Sequence, residues 1–263
     1  MKIIYLFVEG NTDKFVVESL LKRRLKYRNY VNEKDTPKLL SCHIPKYPGA
    51  NGQLERRGIP SFLYKDDASI LLVSANGKEQ VCSAIRERLR VAELQFGIAN
   101  EDISIAVVLD RDAEMNDEVI KSKLLKQAGN NRLVIEKDIL TCEDVRYGFS
   151  LCIIPADRKG TIEKVVIDIA SKIHPELTNE AGLYKKAIEE KEDYRKYRNK
   201  WASDPQIQSF YADKVQVGAI STVLKPDSSP GIMINDILIT EMDIDQICEL
   251  PSIKRIVQYL EDL

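Results

Sequence analysis

Three acidic residues each stand at the close of an apolar run. Glu9 ends the run in "YLFVEGNTD", residues 5–13; Asp110 ends "ISIAVVLD", residues 103–110, and Asp112 follows it by two. Two residues apart at a strand end, both aspartate side chains can turn towards the same crevice. Converging carboxylates repel one another, and burying them uncompensated is costly. A divalent cation with hard oxygen preference removes that cost. Mg2+, or Mn2+ in its place, takes one or two carboxylates together with waters and phosphate oxygens. The chemistry such a site implies is Lewis-acid activation and charge neutralisation at a phosphoryl group. The competing reading is plainer: an acid at a strand end is a solvated turn residue or a helix cap.

Those carboxylates need elements that carry them to one edge. "IIYLFV" (3–8) is continuous and rich in β-branched and aromatic residues, as in a strand buried on both faces. Asn11 and Thr12 are candidate N-caps for a helix over about 12–26, with Val17, Leu20 and Leu21 at helical spacing. "SILLVSANG" (69–77) repeats the strand and glycine turn, and the next helix carries Val81, Ile85, Leu89 and Phe96 on one face. The third strand, 103–110, precedes a helix over roughly 115–128; "NRLVIEKDILT" and "RYGFSLCIIP" read as two further strands. Alternation of this kind predicts an α/β fold, a Rossmann-like parallel sheet with helices on both faces and sites outside the carboxyl ends of its strands. Glu9, the "SANGK" turn, Asp110 and Asp112 all fall at such ends.

Residues 27–68, with the "YPGANG" turn cluster, read as an insertion, so the first domain spans 1–155. Residues 156–263 read as a mainly helical C-terminal extension packed on it. There "TIEKVVIDIASKI" and "GLYKKAIEEKEDYRKYRNKWA" are helical, and Ile253, Ile256, Val257 and Leu260 form one apolar face. "KPDSSPG" (225–231) is a loop.

Composition removes several classes. A net charge of −2 gives no global basic signal, which leaves any nucleic-acid contact to local patches. Five cysteines (Cys42, Cys82, Cys142, Cys152, Cys248), none in a C-x-x-C, and only two histidines argue against a cysteine/histidine zinc site and for reduced thiols. The first apolar run is too short for a signal-peptide core, and no run approaches the length of a membrane span. The expectation is a cytoplasmic protein with no membrane partner; the oligomeric state stays open.

"VEGNTD", followed about a hundred residues later by "VVLDRDAE", resembles the TOPRIM domain of type IA and II topoisomerases, DnaG-type primases, recombination-repair proteins and small nucleases. Its signature is a strand-end glutamate followed by glycine and, after further strand–helix steps, an Asp-x-Asp at a strand end. Glu9, Asp110 and Asp112 match it residue by residue. With "ANGK" after the second strand, the pattern is most similar to nucleases of the overcoming-lysogenization-defect type and to small stand-alone TOPRIM proteins. The likeness covers roughly residues 1–155, with a looser one in "GTIEKVV" and "ADKVQVGA". No G-x-x-x-x-G-K-[ST] ATPase motif, zinc-binding primase motif or evident topoisomerase tyrosine domain accompanies it.

The resemblance implies a Mg2+- or Mn2+-dependent nuclease acting on DNA or RNA, with Glu9, Asp110 and Asp112 as catalytic and metal-holding residues. Asp13 either helps hold a second metal or favours the positive end of a helix dipole. Glu163 is either an extra ligand, as the resemblance hints, or a first-turn acid. Lys214 either neutralises a scissile phosphate or is solvated, and Lys78 carries the same pair of readings. Glu114 reads as a turn acid, and His43 and His174 have no evident partner. "KRRLKYR" (22–28) and "YRKYRNKW" (194–201) either grip a phosphate backbone or form charged helix faces. Alternatives to the nuclease are a non-catalytic module binding nucleic acid or a nucleotide through the same metal, a primase-like nucleotidyl transferase, and, ranked last, glycosyl transfer.

Overall fold

A computed structural model describes residues 1–44, 60–96, 103–191, 193 and 205–263. The chain divides into two compact units. The first takes in Met1–Leu109, Glu118–Cys152 and Leu263; the second takes in Asp110–Asp117 and Ile153–Asp262. The second unit therefore includes Asp110 and Asp112, which lie within the 1–155 segment read above as one domain. The "YPGANG" cluster and the 194–201 stretch lie outside the described residues.

The fold is mixed α/β. Eight strands form one sheet in the order β2-β3-β4-β1-β5-β8-β7-β6. Its centre is parallel: β1 (Lys2–Val8) pairs with β4 (Ala68–Ser74) on one side and with β5 (Ile103–Asp110) on the other. Every residue of β1 from Ile3 to Val8 is buried, because helices α1 (Asn11–Arg23) and α3 (Val81–Phe96), which flank the one-turn α2 (Lys38–Ser41) in sequence, also pack against that strand. Truncating one such apolar side chain to alanine costs about 2–5 kcal/mol, so the centre of this sheet is where the first unit is least tolerant.

The edges depart from the all-parallel expectation. β2 (Arg28–Asn29) and β3 (Ser61–Lys65) run antiparallel outward from β4, so the described part of the 27–68 segment extends the sheet. On the other side "NRLVIEKDILT" is two strands, β6 (Leu133–Glu136) and β7 (Ile139–Cys142), and β8 (Val145–Ile154) follows, each pair antiparallel. Two-residue turns cause this, since such a turn can join only antiparallel strands. Glu143 and Asp144 both have positive φ (48° and 69°), the type I′ pattern, and Lys137 reaches φ 55° between β6 and β7. Two smaller expectations also shift. Helix α1 starts at Asn11 with Gly10 as its N-cap, so neither Asn11 nor Thr12 caps it. Phe96, in the last turn of α3, is 40% exposed, while Val81, Ile85 and Leu89 are buried as expected. Helix α4 (Asp117–Asn130) follows the third strand.

The second unit is helical. Helices α5 (Ile162–Ile173), α6 (Pro175–Glu189) and α7 (Pro205–Leu224) pack on one another. A helical stretch from Pro230 to Glu241 contains a π turn at Ile234–Leu238 and buries Met233, Ile234, Leu238 and Ile239. The last helix, Pro251–Glu261, buries Ile253, Ile256, Val257 and Leu260 and packs on α5. Among the described residues no helix is long and apolar enough to cross a membrane.

A tyrosine–histidine pair is buried inside the first unit. The Tyr5 hydroxyl donates to the Leu39 carbonyl at 2.7 Å, and His43 Nε2 lies 3.0 Å from the same hydroxyl. Because that hydroxyl proton is committed to Leu39, His43 serves as the donor and carries its proton on Nε2. Burial, with a smaller contribution from the Arg88 charge, lowers the His43 pKa from 6.5 to about 3. The unfolded chain therefore binds a proton below its ordinary value while the folded chain stays neutral. Stability is full above about pH 6.5 and falls as pH drops towards about 3, at up to about 1.4 kcal/mol per pH unit. Urea denaturation across this window is expected to show a flatter pH dependence in His43→Leu. An identical slope in the variant would contradict the assignment.

Candidate functional site

In the first unit, β1 delivers Glu9 and the chain turns at once into α1. Asp13, buried in the first turn, accepts the Gly10 N–H at 3.1 Å, and the Gly10 carbonyl accepts from Lys14 N–H. Asp13 thus supports the strand-to-helix turn that follows Glu9. The neighbouring strand β4 ends in a comparable turn. Val8 accepts from Ala75 N–H at 2.9 Å, and Glu9 accepts from Gly77 N–H at 2.8 Å, so the two turns are tied through backbone. Asn76 and Gly77 have φ of 61° and 132°. The second value is open to glycine and strained for other residues. This turn brings the Lys78 ammonium to 3.5 Å from Glu9 Oε1. Lys78 and Glu9, singled out separately in the sequence, therefore form an ion pair at the carboxyl ends of β1 and β4.

In the second unit, Asp110 closes β5 and is nearly buried. Its Oδ1 accepts the Ile162 N–H at 2.9 Å, placing a carboxylate on the positive end of α5. Asp112 has φ 55° and exchanges two backbone hydrogen bonds with Gly160, each 2.8 Å. Between the two aspartates, Arg111 is 3% exposed and acts as an internal anchor. Its Nε donates to the Pro155 carbonyl at 2.8 Å, one terminal nitrogen donates to Met115 O at 2.7 Å, and the other pairs with Asp117 at 2.7 Å. Arg255 reaches Asp117 as well, at 3.0 Å. Partial burial opposes ionisation of Asp117, but the hydrogen bonds and charges of Arg255 and Arg111 outweigh it and hold its carboxyl below the ordinary value. Glu114 accepts from Asn116 N–H at 2.9 Å, as a turn acid does.

Helix α5 supplies the next acid. Glu163 is 5% exposed and accepts the Thr161 hydroxyl at 2.6 Å. Lys214, on α7, lies 4.0 Å from Glu163 Oε1, keeps 57% of its side chain exposed and stands 5.7 Å above the Tyr211 ring. Glu163 and Lys214, far apart in sequence, are therefore neighbours. Arg111, Asp213 and Lys164 escaped the sequence reading. Asp213 is 2% exposed and pairs with Lys164 at 3.0 Å and with Lys185 at 2.8 Å. The only signal for it was its position directly before Lys214 in "ADKVQVG".

Other candidates resolve more plainly. In 22–28, Lys22 pairs with Glu18 and Lys26 donates to the Arg23 carbonyl, while Arg24, Lys26 and Arg28 are exposed. His174 Nε2 lies 2.9 Å from a Glu241 carboxylate oxygen. Among the described residues no three histidine, cysteine, aspartate or glutamate side chains are grouped so that they could hold a metal ion.

Gly160 is the residue on which this arrangement is most sensitive. It has φ 146°, and a Cβ there would collide with the Lys164 side chain that runs over it. Gly160→Ala is expected to lower unfolding free energy by about 1–3 kcal/mol in chemical denaturation. Wild-type stability in that variant would show that the turn relaxes freely.

No curated protein matches the chain. The crystal structure of hypothetical protein PH0156 from Pyrococcus horikoshii OT3 is similar over 99% of this chain and 100% of that one, at 16% identity and a TM-score of 0.49. Residues 4–245 match the family described as "Protein of unknown function (DUF3226)", and the chain belongs to that family.

Proposed function

We propose that this protein is a TOPRIM-type, Mg2+- or Mn2+-dependent nuclease that hydrolyses phosphodiester bonds of DNA or RNA. The observation that carries the reading is strand placement. β1 and β5 are parallel neighbours with Val8 opposite Val108; Glu9 directly follows β1, and Asp110 is the last residue of β5. Acids at the carboxyl ends of adjacent parallel strands are where a doubly wound sheet binds its ligand.

The residues suit a hard divalent cation by donor type. Carboxylate oxygens are its preferred ligands, and Mg2+ needs one or two of them because water completes its shell. The absence of a three-acid cluster among the described residues is compatible with that economy. In this reading one or two of Glu9, Asp110 and Asp112 would hold the cation, and Asp13 and Glu163 are further acids of the same reading. When bound, the ion supplies Lewis-acid activation and charge neutralisation for phosphoryl chemistry.

The chain's own groups divide the remaining work. Glu9 exchanges a proton at a carboxylate oxygen with the attacking water or the leaving oxygen. Lys78, 3.5 Å from Glu9, limits the repulsion that acid would add to the site. Lys214 offers an accessible ammonium to a phosphate, and Glu163 fixes the end from which it reaches.

Incubation with labelled single- and double-stranded DNA and RNA, with Mg2+ or Mn2+ and with chelator, tests the reading. Metal-dependent cleavage is expected, reduced about a hundredfold or more in Glu9→Gln and in Asp110→Asn. Wild-type cleavage by Glu9→Gln would reduce Glu9 to a strand-end acid and break the TOPRIM assignment. Binding without cleavage under every metal would transfer the conclusion to a nucleic-acid-binding module, and nucleotide incorporation would transfer it to a primase-like transferase.

A further inference from the structure

We propose that Lys164 and Lys185 form a second contact for a backbone phosphate of bound nucleic acid, held ready by Asp213; this rests on the reading that nucleic acid is the substrate. The two ammonium groups approach different oxygens of one carboxylate, at 3.0 Å and 2.8 Å. Asp213 is 2% exposed, so it needs compensation, but a single lysine neutralises a single carboxylate. The second lysine leaves a surplus positive charge. Both lysines keep part of their side chains in solvent, 32% for Lys164 and 22% for Lys185, so that charge is accessible to a ligand.

Lys164 adds a second argument. It lies in the first turn of α5, at the positive end of the helix dipole, where a cation is disfavoured. The helix end already holds the Asp110 carboxylate, so an anion docking on the two ammonium groups relieves the surplus lysine charge. The neighbouring residue on α7, Lys214, adds a third ammonium, with Glu163 as its carboxylate. Lys214 is balanced by Glu163, so the surplus positive charge is the one that Lys164 and Lys185 together carry against Asp213. That is the pattern of a track for successive phosphates. The competing explanation is that Asp213 and its lysines only staple α5, α6 and α7 together.

Salt dependence separates the two, because each phosphate contact releases counterions and contributes its own share to the slope of log K against log salt. Binding of fluorescein-labelled single-stranded DNA and RNA, in separate arms with Ca2+ in place of Mg2+, is followed by anisotropy through a salt series. Lys185→Gln and Lys164→Gln are each expected to lower the slope by about 0.7. Between about 50 and about 200 mM salt, each variant then loses about threefold less affinity than wild type does. Lys185→Arg, which keeps the charge, is expected to retain the wild-type slope. Unchanged slopes in both glutamine variants, with native circular dichroism, would overturn this contact and leave the nuclease reading standing. A wild-type protein that binds neither polymer, single-stranded or as a duplex, would overturn both.

Discussion

A carboxylate taken out of water costs several kcal/mol unless a partner stands where it is buried, and this structure is organised around meeting that requirement. Asp110 takes the Ile162 N–H at the start of α5; Glu9 takes Lys78; Asp213 takes Lys164 and Lys185; Asp117 takes Arg111 and Arg255. Each pairing ties two elements of its unit together. The Glu9–Lys78 pair joins the ends of β1 and β4, and Asp213 joins α5, α6 and α7. Such pairs are expensive to break one partner at a time, so they set registers even where their net contribution to stability is small.

The same requirement explains why the acidic residues suit chemistry. Carboxylate oxygens are also the donor type that a hard divalent cation prefers. The proposed cation would use that donor type, and each unit carries a narrow backbone turn of its own. Gly77 and Gly160 take φ values that other residues reach only under strain, and Asp112 itself lies at φ 55°.

Much of the first unit was legible from continuous apolar runs. β1, β4 and β5, with the helices after them, follow from residues such as Ile3–Val8 that no other environment accommodates. The hairpin edges were not legible, because their turns lack the usual signals. Lys137, Glu143 and Asp144 adopt positive φ without a glycine among them, so "NRLVIEKDILT" reads as one strand. For the candidate site, the strand-end acids could be found by position alone. Their partners could not, since these join residues distant in sequence: Asp110 to Ile162, 52 positions on, and Lys185 to Asp213, 28 positions on. Arg111 looked like the variable middle residue of a D-x-D and is an internal anchor.

Calorimetric titration with Mn2+ tests most directly whether acids at the ends of β1 and β5 hold a divalent cation, as proposed. The wild-type protein is expected to bind the ion, and a double variant, Asp110→Asn with Asp112→Asn, to lose most of that binding while its circular dichroism stays native. Equal binding in wild type and double variant would contradict it, because the cation would then be held by other residues.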